Sequence, residues 1–362
     1  MSASNGSVCP NATCDGGPVV RIPPPPKSYD PTVLSLVAFY GALFLIGIYG
    51  NTAVLTYVFY LTRSLKQSVH ALGSTFLYVT CLCVVDSMVT LSLPFMIMDL
   101  ILTHWMFGTA LCKLYWLLES ASKLMSTFLL AALAFDRFSA VCRPMSHRPH
   151  MNAHTHRIVL ACYGFALALL APLVFNASAR VLRTLDPVPI GKRGTKVRIE
   201  YVKCVDNLNP QFRMVFTCYT FVLGFLLPTG LMLTFYTLLL CKLRKQQQSL
   251  AQSHIPVRRI TFYTMLITAF YLLCWTPYWS HQLFSLYVQL SGSVKRRLSP
   301  SNHYVYLMYV LHALPYMNSA FNWILYARMN TQFRKGMSMV VSRIRVRDDS
   351  VGSFHRMTQT VA

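Results

Sequence analysis

The chain has 362 residues, 54% of them apolar and only 12% charged, with a mean hydropathy of +0.43. A soluble protein of this size needs a far more charged surface, so the composition argues against a soluble chain and makes lipid the expected solvent, where a helix needs about 20 mostly apolar residues. The formal charge of +22 would suit nucleic acid, but the basic residues lie between apolar runs rather than on one soluble face, so nucleic acid is set aside in favour of an anionic membrane surface.

The first 30 residues hold no apolar stretch, so no cleavable leader is expected and the first span is expected to start insertion itself. They carry two glycosylation acceptors, Asn5 and Asn11. Seven apolar runs follow, at Val33–Tyr60, His70–Met98, Thr109–Val141, Arg157–Asn176, Gln211–Leu243, Val257–Gln289 and Asn302–Tyr326. The expected fold is an all-α membrane protein, a seven-helix bundle over 33–326. The connections are short except Ala177–Pro210, which contains seven Lys or Arg.

Arg63 and Lys66, then Arg143, Arg148 and Arg157, then Lys242, Arg244, Lys245, Arg258 and Arg259 fall in alternate connections. Residues after the last span add Arg328, Arg334 and Lys335. The expected orientation puts the C-terminus in the cytoplasm and the N-terminus outside. The basic outer run at Lys295–Arg297 and the long connection blur the rule, so orientation rests on the short early loops. Over 327–341, Met329, Phe333, Met337 and Val340 recur at helical spacing. This predicts an amphipathic eighth helix on the inner leaflet, followed by a cytoplasmic tail over 342–362. No cysteine follows Cys274 in this sequence, so no palmitoyl anchor is expected there.

Charge in the bilayer centre costs at least about 2.5–3.5 kcal/mol. The residues that carry it are Asp86, Glu119, Lys123, Asp136 and Arg137. Asp86, with Asn51, Asn318, Ser319 and Asn322 as further oxygen donors, fits either a sodium site or an ion-free network between helices. Asp136 and Arg137 end the third span as adjacent opposite charges. Glu119 and Lys123 are four apart and share a face. They form either a self-neutralising pair or a ligand anchor.

Taken in order, these residues resemble those of rhodopsin-class G-protein-coupled receptors: Asn51, Asp86, Asp136-Arg137-Phe138, Trp105 to Gly108 before Cys112, Pro228 and Tyr236, Cys274-Trp275-Thr-Pro277, and Asn318 to Tyr326. The stretch Tyr219 to Pro228, with Gln282 and Tyr316, is most similar to the somatostatin, opioid and allatostatin-C receptor group. The resemblance implies a plasma-membrane receptor for an extracellular peptide, coupled to a heterotrimeric G protein of the Gi/o type, with no cofactor beyond an allosteric sodium ion. It implies a disulfide between Cys112 and Cys204, with Cys9 and Cys14 left to pair separately. Sodium would sit among Asp86, Ser126, Asn318 and Ser319. Trp275 would floor the pocket. Asp136, Arg137, Pro228, Tyr236, Pro277, Asn322 and Tyr326 would form the switching machinery. Ligand would meet Glu119, Lys123, Trp116, Asp99, Tyr278, Trp279, Gln282, Tyr309, His312 and Tyr316.

The chain departs from that pattern. Trp323 replaces a proline, Phe138 a tyrosine and Tyr271 a phenylalanine; the fourth span has Cys162 and Tyr163 near where a tryptophan is usual. No acid lies near Val257 to latch Arg137, so raised basal activity is expected. The group's aspartate is Glu119 here, and Lys123 one turn deeper makes the pocket nearly neutral, so a ligand with an acidic or C-terminal carboxylate group is expected. The rival readings are weaker. A transporter predicts repeated halves and broken helices. A channel predicts a filter or charged ring. An enzyme predicts clustered His, Asp or Glu, whereas the 11 histidines are scattered. A light receptor needs a lysine in the seventh span. A non-peptide ligand stays open within the receptor reading.

Overall fold

A computed structural model describes residues 19–26, 30–66, 69, 73–142, 151–185, 188–190, 195–249, 255–291 and 302–329. Asn5, Asn11, Cys9, Cys14, the turn-by-turn course of the expected amphipathic helix beyond Met329 and the C-terminal tail lie outside these residues.

Among the described residues there are seven long helices: Pro31–Leu65, Ser74–Leu102, Gly108–Cys142, Met151–Asn176, a fifth built from Pro210–Phe221 and Leu227–Ser249 around a π-helical turn at Val222–Leu226, Ile255–Leu290 and Asn302–Met329. The first five are long and apolar enough by composition to cross a membrane. The sixth and seventh are more polar because Tyr, Trp, His and Asn punctuate them.

Local chemistry sets several ends. Asp30 caps the first helix by accepting the Thr32 N–H at 2.9 Å, with Pro31 at the first helical position. Asn209 and Pro210 repeat the arrangement on the fifth, where the Asn209 side chain accepts from Phe212 at 2.7 Å. Within the fifth helix, Pro228 cannot donate to the carbonyl four residues back, and its ring would crowd it. The backbone widens just before it, and the Leu227 N–H reaches the Val222 carbonyl instead.

The third helix is the axis of the bundle. It packs against the second, fourth, fifth and sixth, while the first lies against the second and seventh. Its buried side chains run from Cys112 to Val141. Large apolar side chains elsewhere face outward, among them Tyr49, Phe175 and Leu273, each about three-quarters exposed. Outward apolar groups and inward polar ones are the arrangement expected where the surroundings are hydrocarbon.

The connection over 177–210, expected as a loop, contains three strands. Ser178–Thr184 (β2) and Val188–Ile190 (β3) pair antiparallel with Thr195–Val205 (β4), and Val19–Ile22 (β1) adds parallel to the other edge of β4. The signal was present in the alternation Lys196-Val197-Arg198-Ile199-Glu200-Tyr201, a period of two.

Trp323, in place of the expected proline, leaves the seventh helix continuous through this position. Its indole occupies a slot on the first helix opposite Gly50, where an added Cβ would stand 2.1 Å from Nε1. Gly50→Ala is therefore expected to lower the melting temperature of the detergent-purified chain, by an overpacking cost of about 1–3 kcal/mol. Combined with Trp323→Ala, it should cost clearly less than the sum of the two single changes, and strict additivity would contradict the packing.

Candidate functional site

A cavity of about 350 Å³ lies among the second to seventh helices and reaches from Cys204 down to Trp275. Its mouth is built first by the Cys112–Cys204 disulfide (Cα–Cα 5.4 Å), which fixes β4 to the start of the third helix. Beside it the Trp105 N–H donates to the Val202 carbonyl at 2.9 Å, and the Trp105 indole donates to Gly108 at 2.9 Å. Gly108 sits at φ +72°, where a side chain would be strained. Phe95, Phe107 and Tyr115 surround the Trp105 ring. This end of the bundle is a packed aromatic platform for the sheet.

The charges inside are paired. Lys123 Nζ lies 2.5 Å from Glu119 Oε1, both groups buried on the third helix. The Tyr316 hydroxyl donates to the same oxygen at 3.2 Å. The Lys123 ammonium also lies 5.0 Å from the Tyr278 ring centre and 5.5 Å from that of Tyr316. Nearer the mouth, Lys203 on β4 meets Asp99 at 2.7 Å, and Arg213 meets Asp206 at 2.5 Å.

Of the ten residues expected to meet ligand, Glu119, Lys123, Trp116, Asp99, Tyr278, Trp279, Gln282 and His312 line this cavity. Tyr309 and Tyr316 stand behind the wall. The Tyr309 carbonyl accepts from Tyr40 of the first helix at 2.9 Å, and Tyr316 is 1% exposed. Sequence reasoning missed Asp206 and Arg213, which sit at the entry of the fifth helix, and Lys203 as partner of Asp99. It also missed Thr127. Its hydroxyl lies 2.7 Å from that of Tyr271, joining the third helix to the sixth, and Tyr271 stacks on Trp275 with ring centres 5.6 Å apart. Thr127 follows Lys123 by four residues and could have been found on that helical face.

Below the cavity, the Asn322 amide and the Tyr326 hydroxyl donate to Asp86 Oδ2 at 3.3 and 3.2 Å. The Asn51 amide is engaged by the Gly47 and Ser319 carbonyls. Ser126 and Asn318 are buried. At the end of the third helix, Arg137 pairs with its neighbour Asp136, and the Ser74 hydroxyl donates to Asp136 at 3.0 Å. Phe138 stacks on Phe235, ring centres 5.6 Å apart. Thr268 reaches the Tyr236 hydroxyl at 3.5 Å. Pro277 lies within the sixth helix. Among the described residues no cluster of His, Cys, Asp or Glu has the arrangement of a metal site built from three or more such groups.

A family model of seven-transmembrane receptors of the rhodopsin family matches residues 50–326. A probable G-protein coupled receptor of Caenorhabditis elegans is 38% identical over 314 residues, covering 86% of this chain and 70% of its own length. Neuropeptide receptor 18 of the same organism is 38% identical over 324 residues, covering 85% and 67%. The somatostatin receptor type 1 of Rattus norvegicus is 26% identical over 314 residues, covering 84% and 71%.

Since the disulfide closes a loop of 92 residues in sequence, its loss releases chain entropy and frees β4 from the cavity mouth. Cys204→Ser is expected to cost about 2–5 kcal/mol, read as a lower melting temperature and reduced surface expression. Unchanged melting after mild reduction of the wild type would contradict this role.

Proposed function

Because the chain belongs to the rhodopsin family of seven-transmembrane receptors, whose members are receptors and not enzymes, we propose that it is a neuropeptide receptor. In this reading it couples to a heterotrimeric G protein of the Gi/o type and lowers cyclic AMP. One observation carries the proposal: the cavity that reaches from the disulfide to Trp275, with paired charges and aromatic side chains on its walls. A cavity with mostly apolar walls and a few convergent polar groups is the usual form of a ligand site. The names of two relatives, a neuropeptide receptor and a somatostatin receptor, support a peptide.

The disulfide end is proposed to face outside, where such bridges persist, and the end carrying Arg137 to face the cytoplasm and the G protein, at the plasma membrane. Ligand entering past β4 would meet Trp116, Trp279, Gln282 and His312 before the Glu119–Lys123 level. Trp275 is 3% exposed and stacked on Tyr271, so a ligand that displaces it would strain the Tyr271–Thr127 contact. That contact lies between the cavity and the cytoplasmic end. Arg137, Tyr236, Asn322 and Tyr326 are the groups whose partners would change there. The balance between two such states is what a ligand biases.

Asp86 is proposed as a sodium site with Ser126, Asn318 and Ser319. The support is the chemistry of the donors: Asp86 Oδ1 and both polar atoms of the Asn318 amide are buried without a hydrogen-bond partner among the described residues. Carboxylate, amide and hydroxyl oxygens suit a small hard cation. Bound there, sodium would neutralise a carboxylate otherwise buried in the bundle.

Cells expressing the chain, raised with forskolin and exposed to a neuropeptide library, are expected to show a peptide-dependent fall in cyclic AMP. Silence across the library with surface expression confirmed would overturn the peptide reading, and a rise in cyclic AMP would overturn the coupling. Tyr271→Phe removes the neutral buried hydrogen bond between the two hydroxyls, worth about 0.5–1.5 kcal/mol, and Thr127→Val removes it together with the bond from Thr127 to the Lys123 carbonyl on its own helix. Either should raise ligand-independent signalling roughly two- to tenfold, measured per receptor at the surface. Basal signalling unchanged in both would count against a latch at this contact.

A further inference from the structure

The deepest charged group of the cavity is already a bound cation. Lys123 places its ammonium against a carboxylate oxygen of Glu119 at 2.5 Å and over the rings of Tyr278 and Tyr316 at 5.0 and 5.5 Å. Tyr316 also donates to that carboxylate at 3.2 Å, which holds its oxygen in place. The three helices that meet here each supply a part: the third gives the acid, the sixth and seventh the aromatic faces. A carboxylate flanked by aromatic rings is the chemistry by which proteins bind a ligand's ammonium group. In this chain the occupant is tethered one helical turn from the acid, at high effective concentration.

An incoming ammonium or guanidinium would have to expel Lys123 and strand a buried charge, which is strongly unfavourable. The other two carboxylates that line the cavity are committed as well, Asp99 to Lys203 and Asp206 to Arg213. The strands tied to the mouth through Cys204 carry Arg180, Arg183 and Arg198 against one acid, Glu200, a net positive charge that favours approach of anions over cations.

We propose that Glu119, Tyr278 and Tyr316 form a cation cage that Lys123 fills from within, so that the ligand group reaching this level of the cavity is neutral or anionic rather than an ammonium or guanidinium. Lys123 is then the residue that sets specificity against cationic ligands. This rests on the cavity being the ligand site, but it can be tested without any peptide.

The probe is benzylammonium, titrated against the melting temperature of the full chain purified in detergent. Wild type should show no stabilisation. Lys123→Met should bind the probe at least about tenfold more tightly than wild type, the order of one recovered ion pair with a π face. Glu119→Gln/Lys123→Met, with both charges gone, should return to wild-type behaviour. Stabilisation of the wild type equal to that of Lys123→Met would overturn the proposal, as would a folded Lys123→Met that ignores the amine. If Lys123→Met strands Glu119 so badly that it does not accumulate, rescue of its yield by benzylammonium supports the cage. Absence of rescue, with the double variant folding normally, refutes it. A silent peptide screen leaves these outcomes untouched, and failure here leaves the screen standing.

Discussion

Hydrocarbon offers a backbone no hydrogen-bonding partner, and the rest of this structure follows from that. Each span must satisfy its own N–H and C=O groups, which makes it a helix. Each polar side chain must then turn inward or reach the ends. Tyr49, Phe175 and Leu273 face out. Asp86, Glu119, Lys123, Asp136 and Arg137 are all buried. The interior prolines Pro94, Pro172, Pro277 and Pro315 are tolerated because neighbouring helices surround them. At Pro228 the accommodation is visible as a π-helical turn. Polar groups thus collect along the bundle axis, and that is where the chemistry of the molecule lies.

The third helix organises that axis. Glu119, Lys123 and Thr127 recur every four residues and so lie on one face, turned towards the sixth and seventh helices. Glu119 and Lys123 engage Tyr278 and Tyr316, and Thr127 engages Tyr271. Three helices are therefore linked within two turns, immediately above and beside Trp275. The disulfide at one end of the same helix fixes β4, and through it Lys203 and Asp99. At the other end, Asp136 and Arg137 remain paired with each other and with Ser74. One rigid element joins the cavity to the opposite end of the bundle, which is the physical requirement for a signal to cross.

The departures from the family pattern are accommodated rather than tolerated as defects. Trp323 fills a volume left by Gly50, so a larger side chain on the seventh helix is matched by a missing one on the first. Tyr271 carries a hydroxyl that a phenylalanine would lack, and Thr127 receives it. Phe138, lacking the usual hydroxyl, stacks on Phe235 instead. Each substitution brings a partner from a different helix, which locates the changes in the contacts between helices and leaves the helices themselves intact.

Apolar length was enough to read seven spans, because insertion depends on local composition. The in-order motifs were enough to read the family. The four-residue spacing of Glu119 and Lys123 put them on one face, since neighbours along a helix face are fixed by its pitch, but left open whether they meet each other or a ligand; the structure pairs them. Tertiary structure alone decided the rest. It showed that Tyr316 stands behind the cavity wall with its hydroxyl on Glu119, 197 residues away in sequence, and that Lys203 occupies Asp99 across 104 residues. It also showed that the long connection is a sheet against which the N-terminal segment pairs. Periodicity reports which side chains share a face of one element. Which faces then meet, and which acid receives which base, depends on helix packing and strand register, and these are set by the whole bundle at once.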